Sequence, residues 1–406
     1  MTTALSKLRA HFKSRLTRPS TRRQRTSLAS VFAFIGTLVA LSLPATTLAA
    51  DDPKLGTVVS SEPMALATNL DAVATGRRIT YTSTDPSGTS IVVSGAVLSP
   101  RPHVAQSHPK NASRVVAWAH GTMGLADQCA PSRTDHLDLP GFDDYSATVA
   151  SYVSQGWTVT ATDYPGLGTP GLHPYVVGDS QGRSVIDSVR AARKLDPGLS
   201  DKWVVSGHSQ GGQAALFASE LGGTYGKGLQ LRGTVALAPA SNLDLVAQGL
   251  VGTPLQGYLV MAIFGLSAVD ASVHPEEVLA QPALDRISAL ETGCFAEIHA
   301  AFADLTADEL LSGGQLSDGL IAKFAESNPG QVAGNSPVLL VQGVDDDTIP
   351  VDLTQYLHSQ LCGFDQAVQL TEYPGAGHVD VLAASQNDVI DYITARLNRE
   401  PAPSTC

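Results

Sequence analysis

From Arg114 onward the chain alternates short apolar runs with longer stretches whose apolar residues fall three or four apart. The runs occupy residues 115–119, 158–162, 203–206, 234–237, 338–341 and 368–373. Helical spacing marks 145–154, 183–195, 213–221 and 389–397. Strands alternating with helices predict a parallel sheet covered by helices on both faces. Upstream, the β-rich stretches 78–84 and 90–98 flank Asp85-Pro86-Ser87-Gly88, which has the residues that turns require, and predict an antiparallel hairpin.

One interval breaks the rhythm. Roughly 90 residues, 242–334, separate two strands that ordinarily lie a helix apart. The interval holds a run rich in large apolar residues at 255–269 and a helical pattern at 282–290, and reads as a mostly helical cap. The expected organisation is a core in two parts, 50–241 with the hairpin and 335–406, with the cap at 242–334 between them. The chain has no internal repeat.

The first 49 residues look different. They carry eight basic side chains (Lys7, Arg9, Lys13, Arg15, Arg18, Arg22, Arg23, Arg25), no acidic one, an apolar run at 27–43, then Pro44 and the small residues Thr47 and Ala49 around Leu48. A basic region, an apolar core and a small-residue site predict a secretory signal that is removed, leaving the protein extracellular. A retained anchor is the alternative, but the run is short for a span of about 20 residues. Arg22-Arg23 leaves the export route open between the general and twin-arginine pathways. Removal at this site leaves 357 residues, enough for one large α/β domain with an insertion.

Charge and cysteines narrow the partners. All 38 acidic residues follow the signal, against 18 Lys and Arg, a formal charge of −20. Such a surface repels phosphate backbones, so nucleic acid and anionic membranes are not expected partners. Cys129, Cys294, Cys362 and Cys406 fit no zinc motif, and an even count after export reads as disulfides in one of three pairings. No metal or organic cofactor is called for.

Gly207-His208-Ser209-Gln210-Gly211-Gly212 follows one predicted strand and opens a predicted helix. The G-x-S-x-G spacing presents a serine on a strained turn where a side chain two residues to either side would clash; the bland alternative is an ordinary glycine-rich turn. A serine hydroxyl needs a base within hydrogen-bond reach, and the base needs a third group to fix its tautomer. Asp346 sits in the turn Val344-Asp345-Asp346-Asp347 after the strand at 338–341, and His378 ends Pro374-Gly375-Ala376-Gly377-His378 after the strand at 368–373. Both lie at the carboxyl edge of the predicted sheet, where reactive groups of open α/β folds collect. Asp345 and Asp347 read as a solvated acidic turn. Ser209, Asp346 and His378 are thus candidate nucleophile, orienting acid and general base, in the chain order of the α/β-hydrolase fold. Candidate oxyanion donors are the N–H of Gln210 and that of Thr122 or Gly121, in the loop after 115–119. His120 in that loop is expected to buttress the turn.

At His120-Gly121-Thr122 with Cys129, at Asp163-Tyr164-Pro165-Gly166-Leu167-Gly168, at Gly207 to Gly212, and at Gln342-Gly343 leading to Asp346, the chain resembles the secretory lipases. The resemblance implies a cap that shapes an acyl tunnel, with Leu255, Tyr258, Leu259, Ile263 and Phe264 as wall residues, or equally as internal cap core. It further implies a Cys129 to Cys294 disulfide, which leaves Cys362 with Cys406. The expected activity is hydrolysis of carboxylic esters with apolar acyl groups, with a lipid or other ester as partner, transient contact with lipid interfaces and a monomeric chain. The rivals are an esterase for short-chain or polysaccharide-linked esters, separated by an acyl-chain series, and a binding protein without turnover, separated by an organophosphate probe.

Overall fold

The computed structural model describes residues 55–135, 137 and 144–406; the expected signal at 1–49 lies outside them, as does 50–54 of the first core segment. A nine-stranded sheet runs in the order β1-β2-β3-β5-β4-β6-β7-β8-β9. The strands are β1 (Val58–Met64), β2 (Ala74–Thr84), β3 (Ser90–Pro100), β4 (Val115–Ala119), β5 (Thr158–Thr162), β6 (Lys202–His208), β7 (Gln230–Leu237), β8 (Val338–Gly343) and β9 (Val368–Tyr373). Strands β1 to β3 pair antiparallel, and β3 joins β5 antiparallel; from β5 to β9 every pairing is parallel. The hairpin and the α/β alternation read from the pattern are both present. In the middle of the sheet β4 and β5 are buried at all five positions each, as parallel strands covered on both faces must be.

Helices α1 (Asp144–Ser154), α2 (Gly178–Leu195) and α3 (Gln210–Glu220) follow β4, β5 and β6. In the long interval between β7 and β8 the structure has α4 (Leu243–Leu250), α5 (Gly257–Ser267), α6 (Phe295–Phe302) and α7 (Asp318–Glu326), joined by shorter helical turns. Helix α8 (Val351–Cys362) precedes β9 and α9 (Asp380–Asn398) follows it. The interval has an apolar cluster of its own, built on Leu259, Val260, Ile263, Ile298, Phe302 and Phe324 and joined from the core by Leu125 and Tyr175 to Val177.

One local expectation is corrected. Residues 282–290 do not form one helix: helical turns Gln281–Leu284 and Ser288–Thr292 are joined by i to i+3 bonds such as Arg286 N–H to Ala283 O, and Arg286 is held by Ala301 O and Asp304. Strand β1 and helix α8 lie outside the elements that the pattern predicts; no position of β1 is buried, so its polar composition hides the strand. No described helix is long and apolar enough to cross a membrane.

Candidate active site

Ser209 leaves β6 and opens α3 with φ 57° and ψ −118°, a backbone region that costs of order 1–3 kcal/mol in a non-glycine residue. The neighbours explain why the turn tolerates so little bulk. A Cβ on Gly207 would lie 2.1 Å from Gly211 O, and one on Gly211 would lie 1.9 Å from Ala119 O. The turn is closed by Ser209 N–H to Leu237 O at 2.9 Å and Ala240 N–H to Ser209 O at 3.0 Å.

Asp346 and His378 meet at 2.7 Å between Oδ2 and Nδ1. The carboxylate is over-determined: Oδ1 accepts the N–H of Thr348 at 2.9 Å and of Ile349 at 2.8 Å, and Oδ2 also accepts Gln342 Nε2 at 3.0 Å. Burial works to raise this carboxyl, but the facing His378 and these hydrogen bonds hold it below the usual carboxylate range, so it stays ionised. Gln342 is fully buried, and it also donates to Ile349 O and accepts from Thr354 Oγ1 at 2.7 Å. Its role in fixing Asp346 was not read from the sequence, although a lone polar residue in the run VLLVQG is the signal.

His208 bridges the two halves of the site. Its Nε2 donates to His378 O at 2.8 Å, so its Nδ1 is the acceptor for Tyr145 OH, also at 2.8 Å. The His208 and His378 rings lie 4.6 Å apart. Burial and the adjacent His378 pull His208 down to about 3, so it is neutral and serves as a strut. Among the described residues Ser209 Oγ makes no hydrogen bond, and His378 is held by Asp346 at Nδ1 and by His208 at its carbonyl.

The loop after β4 lies against the start of α3, since a Cβ on Gly211 would also lie 2.6 Å from His120 O. Gln210 is the first residue of α3, where an N–H has no intrahelical acceptor. Gly121 sits under Tyr145, whose OH a Cβ there would meet at 2.0 Å, and Thr122 Oγ1 bonds Tyr175 OH at 2.7 Å. His120 is buried, with Nδ1 donating to Gly121 O at 2.6 Å and Tyr164 OH donating to its carbonyl at 2.8 Å. It braces the turn. Behind Ser209, Gln210 Nε2 reaches Gln181 Oε1 at 2.6 Å and His173 Nε2 at 3.0 Å, and Gln181 bonds Gln213 at 3.0 Å.

A cleft of about 530 Å³, counting its open mouth, ends at Ser209. Its wall is largely apolar: Leu243, Val246, Ala247 and Leu250 of α4, Tyr258, Leu259 and Ala262 of α5, and Phe324 of α7, with Tyr175 and Ile349 from the core side. Of the five wall residues implied by the resemblance, Tyr258 and Leu259 line it; Leu255, Ile263 and Phe264 do not. Ile263 is fully buried inside the apolar cluster of the insert and Phe264 packs against that cluster, because α5 is apolar all round and turns only one face to the cleft. Leu255 precedes the helix. Helix α4 was overlooked, though its spacing of 243, 246, 247 and 250 is a helical apolar stripe.

The helical insert between β7 and β8 is tied to the loop after β4 by a Cys129–Cys294 disulfide, and by Phe295 N–H to Met123 O at 2.8 Å. The second disulfide joins Cys362 to Cys406. The first is the pair that the resemblance implies, and the second is the pair that it leaves.

The secretory lipase family model matches residues 143–405, well over half of the chain. The chain belongs to the secretory lipase family. It is a carboxylic ester hydrolase. This secretory lipase is 27% identical over 87% of its length, and 80% of the other chain, to the secreted triacylglycerol lipase LIP4 of Malassezia globosa. Its fold is that of Candida antarctica lipase A in the closed state, with TM-score 0.72, 17% identity and coverage of 87% and 86%. It also superposes on the rice cell wall degrading esterase LipA of Xanthomonas oryzae, with TM-score 0.69, 21% identity and coverage of 86% and 100%. The α/β-hydrolase fold of this secretory lipase is therefore established.

Proposed function

We propose that this enzyme is exported, loses its signal segment, and hydrolyses carboxylic esters with apolar acyl chains, triacylglycerols among them, through an acyl-enzyme. Ser209 Oγ attacks the ester carbonyl and passes its proton to His378, whose charge the ionised Asp346 stabilises. The N–H of Gln210 and that of Thr122 or Gly121 receive the developing oxyanion. Collapse expels the alcohol with the proton from His378. Water, deprotonated by the same imidazole, then releases the acid. Residues 242–334 act as the cap domain, and the substrate is met at lipid interfaces by a monomeric enzyme.

One observation carries this reading: an apolar cleft ends at a strained serine, and the turns after β8 and β9 pair an aspartate with a histidine. The likeness to the rice cell wall degrading esterase LipA of Xanthomonas oryzae favours a second reading, an esterase for short-chain or polysaccharide-linked esters. Nitrophenyl esters from acetate to palmitate separate the two, with kcat/KM rising with chain length for a lipase and falling beyond butyrate for an esterase. Ser209→Ala is expected to lose about 10⁶-fold in kcat; a variant that keeps more than a small fraction of the activity refutes the mechanism.

A further inference from the structure

We propose that a cleft on the sheet edge opposite Ser209 binds a small tetrahedral oxyanion of the phosphate class. The cleft lies at the start of β7, before β8 and beyond the end of α9. It is lined by Leu231, Arg232, Asn335, Pro337, Arg396, Arg399, Glu400 and Ala402 and encloses about 570 Å³ with its mouth. Three arginines share this one cleft in a chain whose acidic residues outnumber the basic ones, 38 to 26. Among the described residues none of the three makes an ion pair, and Glu400 is the single acid in the lining.

The arginines are also incompletely satisfied. Arg396 is 3% exposed; one Nη donates to Pro401 O at 2.8 Å, the guanidinium lies 5.1 Å from the centre of the Tyr392 ring, and the buried Nε finds no acceptor. Arg232 donates to Gln230 Oε1, and its Nε too is buried without a partner. A buried charged donor left unpaired is among the costliest arrangements in a fold. An anion in the cleft supplies the counter-charge that these three arginines lack.

Three departures from regular structure converge here. Pairing of β6 with β7 passes from Trp203 opposite Leu231 to Val204 opposite Gly233, so Arg232 is the extra residue of a bulge, a device that re-aims a side chain. Gly233 leaves room for the Arg396 stem: a Cβ there would lie 2.5 Å from Arg396 Cγ. Arg399 takes φ 64° after α9, where glycine or asparagine is the usual choice. The negative end of α9 alone accounts for cations at 396 and 399. It does not account for Arg232, which comes from a strand. Guanidinium groups converging from two elements match an oxyanion with several acceptor oxygens.

The test is a set of thermal melts on the purified enzyme, with phosphate titrated to about 10 mM and chloride adjusted to hold ionic strength constant. We expect a saturable rise in Tm of roughly 2–4 °C. Arg399→Gly relaxes the left-handed backbone, so it is expected to keep or raise Tm in chloride while losing about 10-fold in phosphate affinity. Arg232→Gln should lose a similar factor, and esterase activity should be unchanged by phosphate. Absence of a saturable rise, or an undiminished rise in Arg399→Gly, overturns the site.

Discussion

The two walls of the cleft over Ser209 are held by different physics. On the core side each functional group is fixed by several hydrogen bonds at a strand end: Asp346 accepts four, Gln342 is committed at both ends, and His208 spans Tyr145 and His378. On the side of the proposed cap the lining of α4, α5 and α7 is apolar and is placed by packing. Directional bonds fix a reacting atom to fractions of an ångström, whereas packing fixes volume and shape. The core wall should therefore govern kcat, and the cap wall the choice of acyl chain.

The sharpest way to break this contrast is at the acid. Asp346→Asn is expected to lower kcat about 10⁴-fold with little change in KM, because the amide no longer stabilises the charged imidazole. Gln342→Leu should follow, with kcat down roughly 10²-fold as Asp346 and His378 drift from register; steady-state kinetics at two chain lengths would show the same loss on both. A change in the cap should do the opposite. Ala247→Phe fills the cleft from α4, and is expected to cost roughly 30-fold in kcat/KM on palmitate and little on acetate.

The smallest effect tests where the walls join. Gly330 N–H, at the return from the insert, donates to Glu220 Oε1 at 2.7 Å, and burial pushes this carboxyl up to about 7. The folded chain thus holds the proton between pH 4.5 and 7 while the unfolded chain releases it. The contribution of this group to stability is full below pH 4.5 and lost as pH rises through 7. Glu220→Gln keeps the acceptor without the charge. Melts should find it more stable than the parent by about 1–2 kcal/mol at pH 8, with the gap closing below pH 4.5.

The same division decides what was legible along the chain. Strands β2 to β9 announce themselves because a buried parallel strand must be apolar and a hairpin must turn, and the elbow does so because two glycines have no substitute there. The candidate triad stands at strand ends, where position alone singles it out. The cap resists reading: in α5 nearly every residue is apolar, so sequence cannot say that Tyr258 and Leu259 face the cleft while Ile263 faces inward. The breaks at 284–288 depend on the Arg286 anchor to Ala301 and Asp304, which no local pattern encodes. Strand β1 is hidden because an exposed edge strand has no need of apolar alternation.

The central claim is that the hydroxyl at 209 is an activated nucleophile. Treatment with an organophosphate, followed by peptide mass mapping, reads it directly. The expected result is one adduct per chain on the peptide carrying Ser209, formed at least about 10²-fold more slowly in His378→Ala. An unmodified Ser209 in a preparation that still hydrolyses esters would contradict it.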